Sequence, residues 1–167
     1  MFQKLKVFFT SARFVIPTLI LLPIVFLIIV FVSGPYAVSD KNGKAFENAI
    51  YALPNDTKQV DLRDLTPFEW DYVYSFGPYT SPEQIEKAIG FYSGEFEYAN
   101  ADYINIQLYF VKGKEIVAKS FGEISKLKFD FSFGISTSGY LRLKNSDNPV
   151  FDVKVRDGTR WFSIAEE

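Results

Sequence analysis

The chain has 167 residues, 18 basic and 20 acidic side chains, and no cysteine or histidine; 18% of it is aromatic. Disulfides are therefore excluded, as are serine–histidine and cysteine–histidine nucleophiles and typical zinc sites within the chain. All 20 acidic residues lie after position 39, against 15 basic ones, which gives that part a net charge of −5. Such a domain has no electrostatic footprint for nucleic acid.

Residues 1–13, MFQKLKVFFTSAR, mix basic and apolar side chains. Phe14–Val32 follows, 19 residues without a charge and with Thr18 as its one polar side chain. As a helix this run would measure roughly 28 Å, close to the hydrocarbon thickness of a bilayer. It is apolar all round, so a single lipid-facing span is expected at 14–33. Pro17 sits in the first turn, where a missing N–H costs little, and Pro23 lies deeper and is expected to kink the helix. The run has no small-xxx-small pattern and no ionisable residue, so its expected role is a plain anchor.

Lys4, Lys6 and Arg13 precede the run with no acidic companion, whereas Lys41 and Lys44 follow it with Asp40 and Glu47. That bias makes 1–13 a cytoplasmic segment and places the rest outside the cell membrane. The rival is a cleaved signal peptide, for which Ala37-Val38-Ser39 offers small residues; the apolar run exceeds the usual ~7–15-residue core and favours an uncleaved signal anchor. Lipid attachment through a processed cysteine is excluded, since there is none.

Gly34-Pro35 and the turn-like Asp40-Lys41-Asn42-Gly43 predict a linker over 34–43. Residues 44–167 are then one domain, large enough to hold its own core. Ala45, Phe46, Ala49, Ile50 and Leu53 recur at helical spacing and Pro54 ends them, so Lys44–Leu53 is a predicted amphipathic helix. Asn55-Asp56-Thr57 is formally a glycosylation sequon, a short pattern common by chance. Gln59–Leu62 reads as a short strand. Trp70, Tyr72, Tyr74 and Phe76 alternate, as on a strand with one aromatic face, and Gly77-Pro78 stops it. Ser81-Pro82-Glu83-Gln84 predicts a helix start, with Ser as N-cap, Pro first and Gln closing a capping box. Ile85, Ala88 and Ile89 form its apolar side, and Gly90 its C-terminal cap.

From Tyr103 the pattern is that of strands. Ile104 to Phe110 alternate, Lys112-Gly113-Lys114 turns, and Glu115–Phe121 returns. Leu127, Phe129, Phe131 and Phe133 alternate with Lys126, Lys128, Asp130 and Ser132. Tyr140–Lys144 is a shorter strand. Phe151, Val153 and Val155 alternate, Asp157-Gly158 is a hairpin signal, and Thr159–Ile164 returns. The class expected is α+β: an N-terminal transmembrane helix, then one antiparallel sheet with one or two short helices packed on it.

The stretch Trp70-Asp71, then Phe76-Gly77-Pro78-Tyr79-Thr80-Ser81-Pro82-Glu83, resembles a motif of small, uncharacterised bacterial membrane-anchored envelope proteins. These share a WD, an FGPYT, a short helix and paired strands, and many look like lipoproteins. The resemblance covers about residues 66–121 and implies an extracytoplasmic domain; it transfers no catalytic residue. This chain departs from the lipoprotein form in lacking a cysteine.

Carboxylates remain as candidate chemistry. Asp61, Asp64, Glu69 and Asp71 form the densest acidic group, which as a glycosidase-like pair would need one raised pKa and a set separation. The plainer reading is a solvated strand end and loop beside Arg63. Ser120 with Lys119, and Ser125 with Lys126, are sequence neighbours that would point to opposite faces of a strand. Lys144–Pro149 hints at a calcium loop, but Pro149 and the missing closing Glu make it a turn. No catalytic residue, metal site or cofactor is assigned.

Trp70, Tyr72, Tyr74, Tyr79 and Trp161 are the candidate binding residues, because Trp and Tyr are favoured at contact surfaces. The period-2 spacing of Trp70, Tyr72, Tyr74 and Phe76 is the signature of a core face and favours that plainer reading. The function expected is that of a single-pass binding or accessory protein of the cell envelope, not an enzyme, whose partners are the membrane and another envelope protein. A structural subunit of a membrane complex is the first alternative, and an Asp/Glu-dependent envelope hydrolase the second.

Overall fold

The computed structural model describes residues 23–24, 35–96, 105–134 and 139–165. The predicted span therefore lies outside the described residues, apart from Pro23 and Ile24, which are helical. Among the described residues no helix is long and apolar enough to cross a membrane. The chain divides into two units, Met1–Ala37 and Val38–Glu167, and the described strands all belong to the second.

The fold is α+β. Helix α1 (Pro35–Ala52) leads to β1 (Gln59–Asp61), a 3-10 turn over Leu62–Leu65, β2 (Tyr72–Phe76) and α2 (Pro82–Ile89). The hairpin β3 (Asn105–Lys112) and β4 (Glu115–Glu123) follows, then the one-turn α3 (Ile124–Leu127) and β5 (Phe129–Ser132). The chain closes with β6 (Tyr140–Lys144), a 3-10 turn, β7 (Val150–Arg156) and β8 (Thr159–Ile164).

These strands make two sheets rather than the single antiparallel one expected. Sheet one has the order β1-β7-β8-β5 and sheet two the order β4-β3-β2-β6. The hairpins stay together while distant strands are recruited. β1 pairs with β7, and β5 lies parallel to β8. A parallel pair requires a crossover, which β6 and β7 supply.

The main core lies between the sheets. Val60, Phe129, Phe131, Phe151, Val153 and Phe162 come from sheet one, and Val73, Ile106, Leu108, Phe110 and Ala118 from sheet two. Phe131 and Phe162 stack at 4.2 Å between centroids. Phe46 of α1 reaches Phe110 on one side and Phe129 and Phe131 on the other. Burial of one such ring is worth about 1.5–3 kcal/mol, and this ring ties both sheets to the helix.

α1 starts ahead of the expected Lys44 boundary, so the predicted linker is helical from Pro35. Pro35 occupies the first helical position, where its fixed φ and absent N–H fit. Buried Ser39, Gly43, Phe46 and Ile50 then form one helical stripe. Gly43 is there for proximity: a Cβ at this position would collide with the Lys119 carbonyl oxygen of β4. The neighbouring Asn42 donates 2.8 Å to the Val117 carbonyl. Val117 is the extra residue of a β-bulge opposite Phe110/Val111, so its carbonyl is available to a side chain. Residues that look like a turn in the sequence are thus a helix–strand contact.

A second, smaller core covers the outer face of sheet two. α2 places Ile85 over Tyr74, Phe76, Tyr109, Val111 and Ile116. Its start matches expectation, with the Ser81–Gln84 capping box complete and Gly90 in the left-handed conformation at the far end.

Candidate binding surface

The five aromatic candidates are not brought together. Trp70 precedes β2 and is 4% exposed in the main core. Its indole N–H donates 2.8 Å to the Thr66 hydroxyl, which itself donates to the Leu62 and Arg63 carbonyls of the 3-10 turn. Trp70 therefore anchors a loop. Tyr74 is 5% exposed beneath α2. Tyr72 is half-buried on the same face of β2, with its ring 6.4 Å from that of Tyr74. Tyr79 is 70% exposed in the Gly77–Thr80 turn before α2. Trp161 is 41% exposed on the outer face of sheet one, between Lys154 of β7 and Asp130 of β5 in register. Burial pushes the Asp130 carboxyl above the usual aspartate value, against the opposing Phe131 N–H.

What the structure does assemble is a tyrosine–arginine group on sheet two. Antiparallel pairing of β2 with β6 sets Tyr74 opposite Arg142 and Phe76 opposite Tyr140. The Arg142 guanidinium lies 4.8 Å from the centre of the Tyr72 ring. Tyr140 packs on Tyr74 and Phe76 at 6.1 and 5.5 Å. A hydrogen bond with the Tyr74 hydroxyl further favours the charged guanidinium. A cation over an aromatic ring is worth about 0.5–1 kcal/mol at an exposed site. Arg142 and Lys144 are exposed while Leu141 and Leu143 are partly buried, so β6 has one basic face and one apolar face. Arg142 and Tyr140 were absent from the sequence candidates. The signal was present in the Tyr-Leu-Arg-Leu-Lys alternation, but its neighbours on β2 are about 70 residues away in the chain.

Three of the four acidic residues have structural partners. Asp61 caps the 3-10 turn and is ion-paired with Arg63, which holds its carboxyl below the usual range. Arg63 also reaches the Asn148 side chain. Glu69 pairs with Lys112, which lowers its pKa. Asp71 accepts from the Gly113 N–H at 2.8 Å, joining β2 to the β3–β4 turn. Among the described residues no group of three or more acidic side chains is placed to hold a metal ion. Ser120 and Lys119 diverge as neighbours in a strand must: Ser120 donates to Glu47, and Lys119 lies 3.3 Å from Asp40. Ser125 donates to Glu123, which also pairs with Lys126. Lys144–Pro149 carries a 3-10 turn over Asn145–Asp147.

One buried carboxyl had no sequence signal. Glu95 is 5% exposed and accepts from the Ser39 hydroxyl near the start of α1. Burial raises its pKa and Asp40 adds to the rise, while the Ser39 hydrogen bond and Lys119 oppose it.

Comparison with known protein families, curated proteins and solved structures finds no match.

Proposed function

We propose that this chain is a single-pass, membrane-anchored binding or accessory protein of the cell envelope. Its N-terminus is cytoplasmic, and its α+β domain acts outside by protein–protein contact. The observation that carries this reading is the Tyr72–Tyr140–Arg142 group at the edge of sheet two, seated on the buried Tyr74. Large amphipathic rings and a guanidinium suit a contact surface, since they give area at low entropic cost. The uncharged Phe14–Val32 run, the basic head before it, and the resemblance of the Trp70–Glu83 stretch to envelope proteins support the location. The structural partners of Asp61, Glu69 and Asp71 favour contact over hydrolysis.

Crosslinking in cells from a photoreactive residue at position 72, followed by pull-down, is the direct test. The expected result is a discrete adduct with an envelope protein; recovery of only lipid and general chaperones overturns the reading. Protease added to intact spheroplasts should remove the domain, and a protected domain defeats the orientation. Exchange of residues 14–33 for an unrelated span should preserve the adduct. Its loss would favour a membrane-complex subunit instead.

A further inference from the structure

We propose that the outer edge of β6 is a strand-addition site for an extended acidic segment of another protein, in which Asp or Glu alternates with apolar residues. This rests on the protein–protein reading above and specifies the chemistry of the partner.

The backbone comes first. β6 ends the order β4-β3-β2-β6, so among the described residues only β2 pairs with it. The Gly77 N–H donates to the Gly139 carbonyl, and the Asn145 N–H to the Asp71 carbonyl. In the antiparallel register these are hydrogen-bonded pairs, and so are Val73 with Leu143 and Ser75 with Leu141. The alternate residues Arg142 and Lys144 consequently turn their N–H and C=O groups away from β2, towards the edge. A fully polar row of this kind is a template for one more strand.

The side chains then select which strand. Those of Arg142 and Lys144 stand on the outer face, and neither has an ion pair among the described residues. Across the edge, a carboxylate in register with each would gain a cross-strand ion pair, and a lysine or arginine would be repelled. The intervening Leu141 and Leu143 face the core side and are only partly covered. Apolar residues at alternating positions of the incoming strand would extend that cover. Basic residues on an edge keep neutral strands of other chains away; here they also define the complement. A second copy of β6 meets only half of these conditions. Its sequence, Tyr-Leu-Arg-Leu-Lys, repeats the apolar alternation but brings no carboxylate to Arg142 or Lys144.

The opposite edge of the same sheet does not compete. β4 has α1 against it, through Gly43, Asn42 and Glu47.

The experiment uses the full chain in nonionic detergent and fluorescein-labelled peptides of about nine residues, a common strand length. One peptide alternates Glu and Val; the control alternates Lys and Val. Fluorescence anisotropy should show saturable binding of the Glu peptide, weakened by salt, and none of the Lys peptide. The double variant Arg142→Glu, Lys144→Glu should weaken the Glu peptide by roughly tenfold or more and create binding of the Lys peptide. Both positions are exposed, so an unchanged thermal midpoint checks that the variant is folded. A Glu peptide N-methylated at its Glu backbone nitrogens should fail, because in an antiparallel pair the residues in register with Arg142 and Lys144 are the ones that donate to the ladder. Equal binding of Glu and Lys peptides, indifference to the double variant, or no binding at all overturns the inference. So does a concentration-dependent dimer, seen by light scattering, that blocks the Glu peptide; that result would give the edge to a second copy. If the peptides fail while the position-72 adduct persists in cells, the strand-addition inference falls and the protein–protein reading stands. If the peptides bind while that adduct is never recovered, the edge is a strand acceptor and the protein–protein reading of the tyrosine–arginine group falls.

Discussion

The two edges of sheet two solve one problem in opposite ways. At β4 the chain spends a helix on it. α1 lies so close that a glycine must face the Lys119 carbonyl, and Asn42 takes the carbonyl that the bulge at Val117 releases. Ser120 and Lys119 add bonds to Glu47 and Asp40. At β6 no helix intervenes among the described residues, and two basic side chains and a tyrosine–arginine stack stand there instead. A covered edge is lost to partners and becomes part of the core. A charged edge stays accessible but discriminates. The contrast separates side chains that close an edge from those that leave it accessible.

The comparison breaks hardest at Phe46. Phe46→Ala should cost about 3–5 kcal/mol, since it removes the ring shared by α1 and both sheets; a urea midpoint near that of wild type would show that α1 is not seated in the core. Gly43→Ala is next, with about 1–3 kcal/mol expected from the clash with the β4 backbone. On an exposed helix the same change would stabilise by about 1 kcal/mol, so the sign of the shift in thermal midpoint is decisive. Asn42→Ala should cost about 1 kcal/mol or more, by leaving the bulge carbonyl without its donor, read again from urea denaturation.

A pH series sharpens the covered side further. The folded-state pKa of Glu95 is raised above the ordinary value of 4.5, mainly by burial. Protonation is therefore favoured by folding, and the stability it contributes is present at low pH and lost as pH rises through the raised pKa. Asp40 and Lys119 face the same carboxyl and pull in opposite directions. Glu95→Gln should raise the thermal midpoint at neutral pH relative to wild type and flatten this part of the profile. A profile identical to that of wild type would detach Glu95 from the stability of α1. The smallest effect belongs to the open edge, where Arg142→Ala should cost about 0.5–1 kcal/mol, the worth of its contact with the Tyr72 ring. A larger loss in calorimetry would make β6 part of the core.

Local chemistry was legible in the sequence and long-range pairing was not. The Ser81 cap, the Gly90 stop, the Gly113-Lys114 turn and the Asp157-Gly158 hairpin depend on neighbours within a few residues, and all occur where expected. The Phe129–Phe133 alternation also holds, but Leu127 belongs to a helical turn ended by Lys128 in the left-handed conformation. Nothing local distinguishes one sheet from two, because β1 and β5 find partners that are distant in the chain. Residues 35–43, expected as a turn-like linker, are helical for a related reason. Gly43 and Asn42 weaken an isolated helix, and their compensation comes from β4, 75 residues on from Asn42 at the Val117 carbonyl. The candidate surface was half legible. Tyr72 and Tyr74 do share a face, but Trp70 leaves for the other core, and Arg142 arrives from a strand that shows no motif. Glu95 gave no signal, since burial of a carboxyl depends on which loop lands on it.

The parallel pairing of β5 with β8 carries a consequence for synthesis. Sheet two is complete once Lys144 has emerged, whereas in sheet one β1 and β5 must wait for β7 and β8. Until then Phe129 and Phe131 have no strand to lie beside, and they form an apolar stripe on a nascent chain. Contacts of such separation are slow to close. On a chain synthesised in order, that interval is when a holdase chaperone would find its substrate. The last strands to be made therefore set the pace of maturation for strands made long before them.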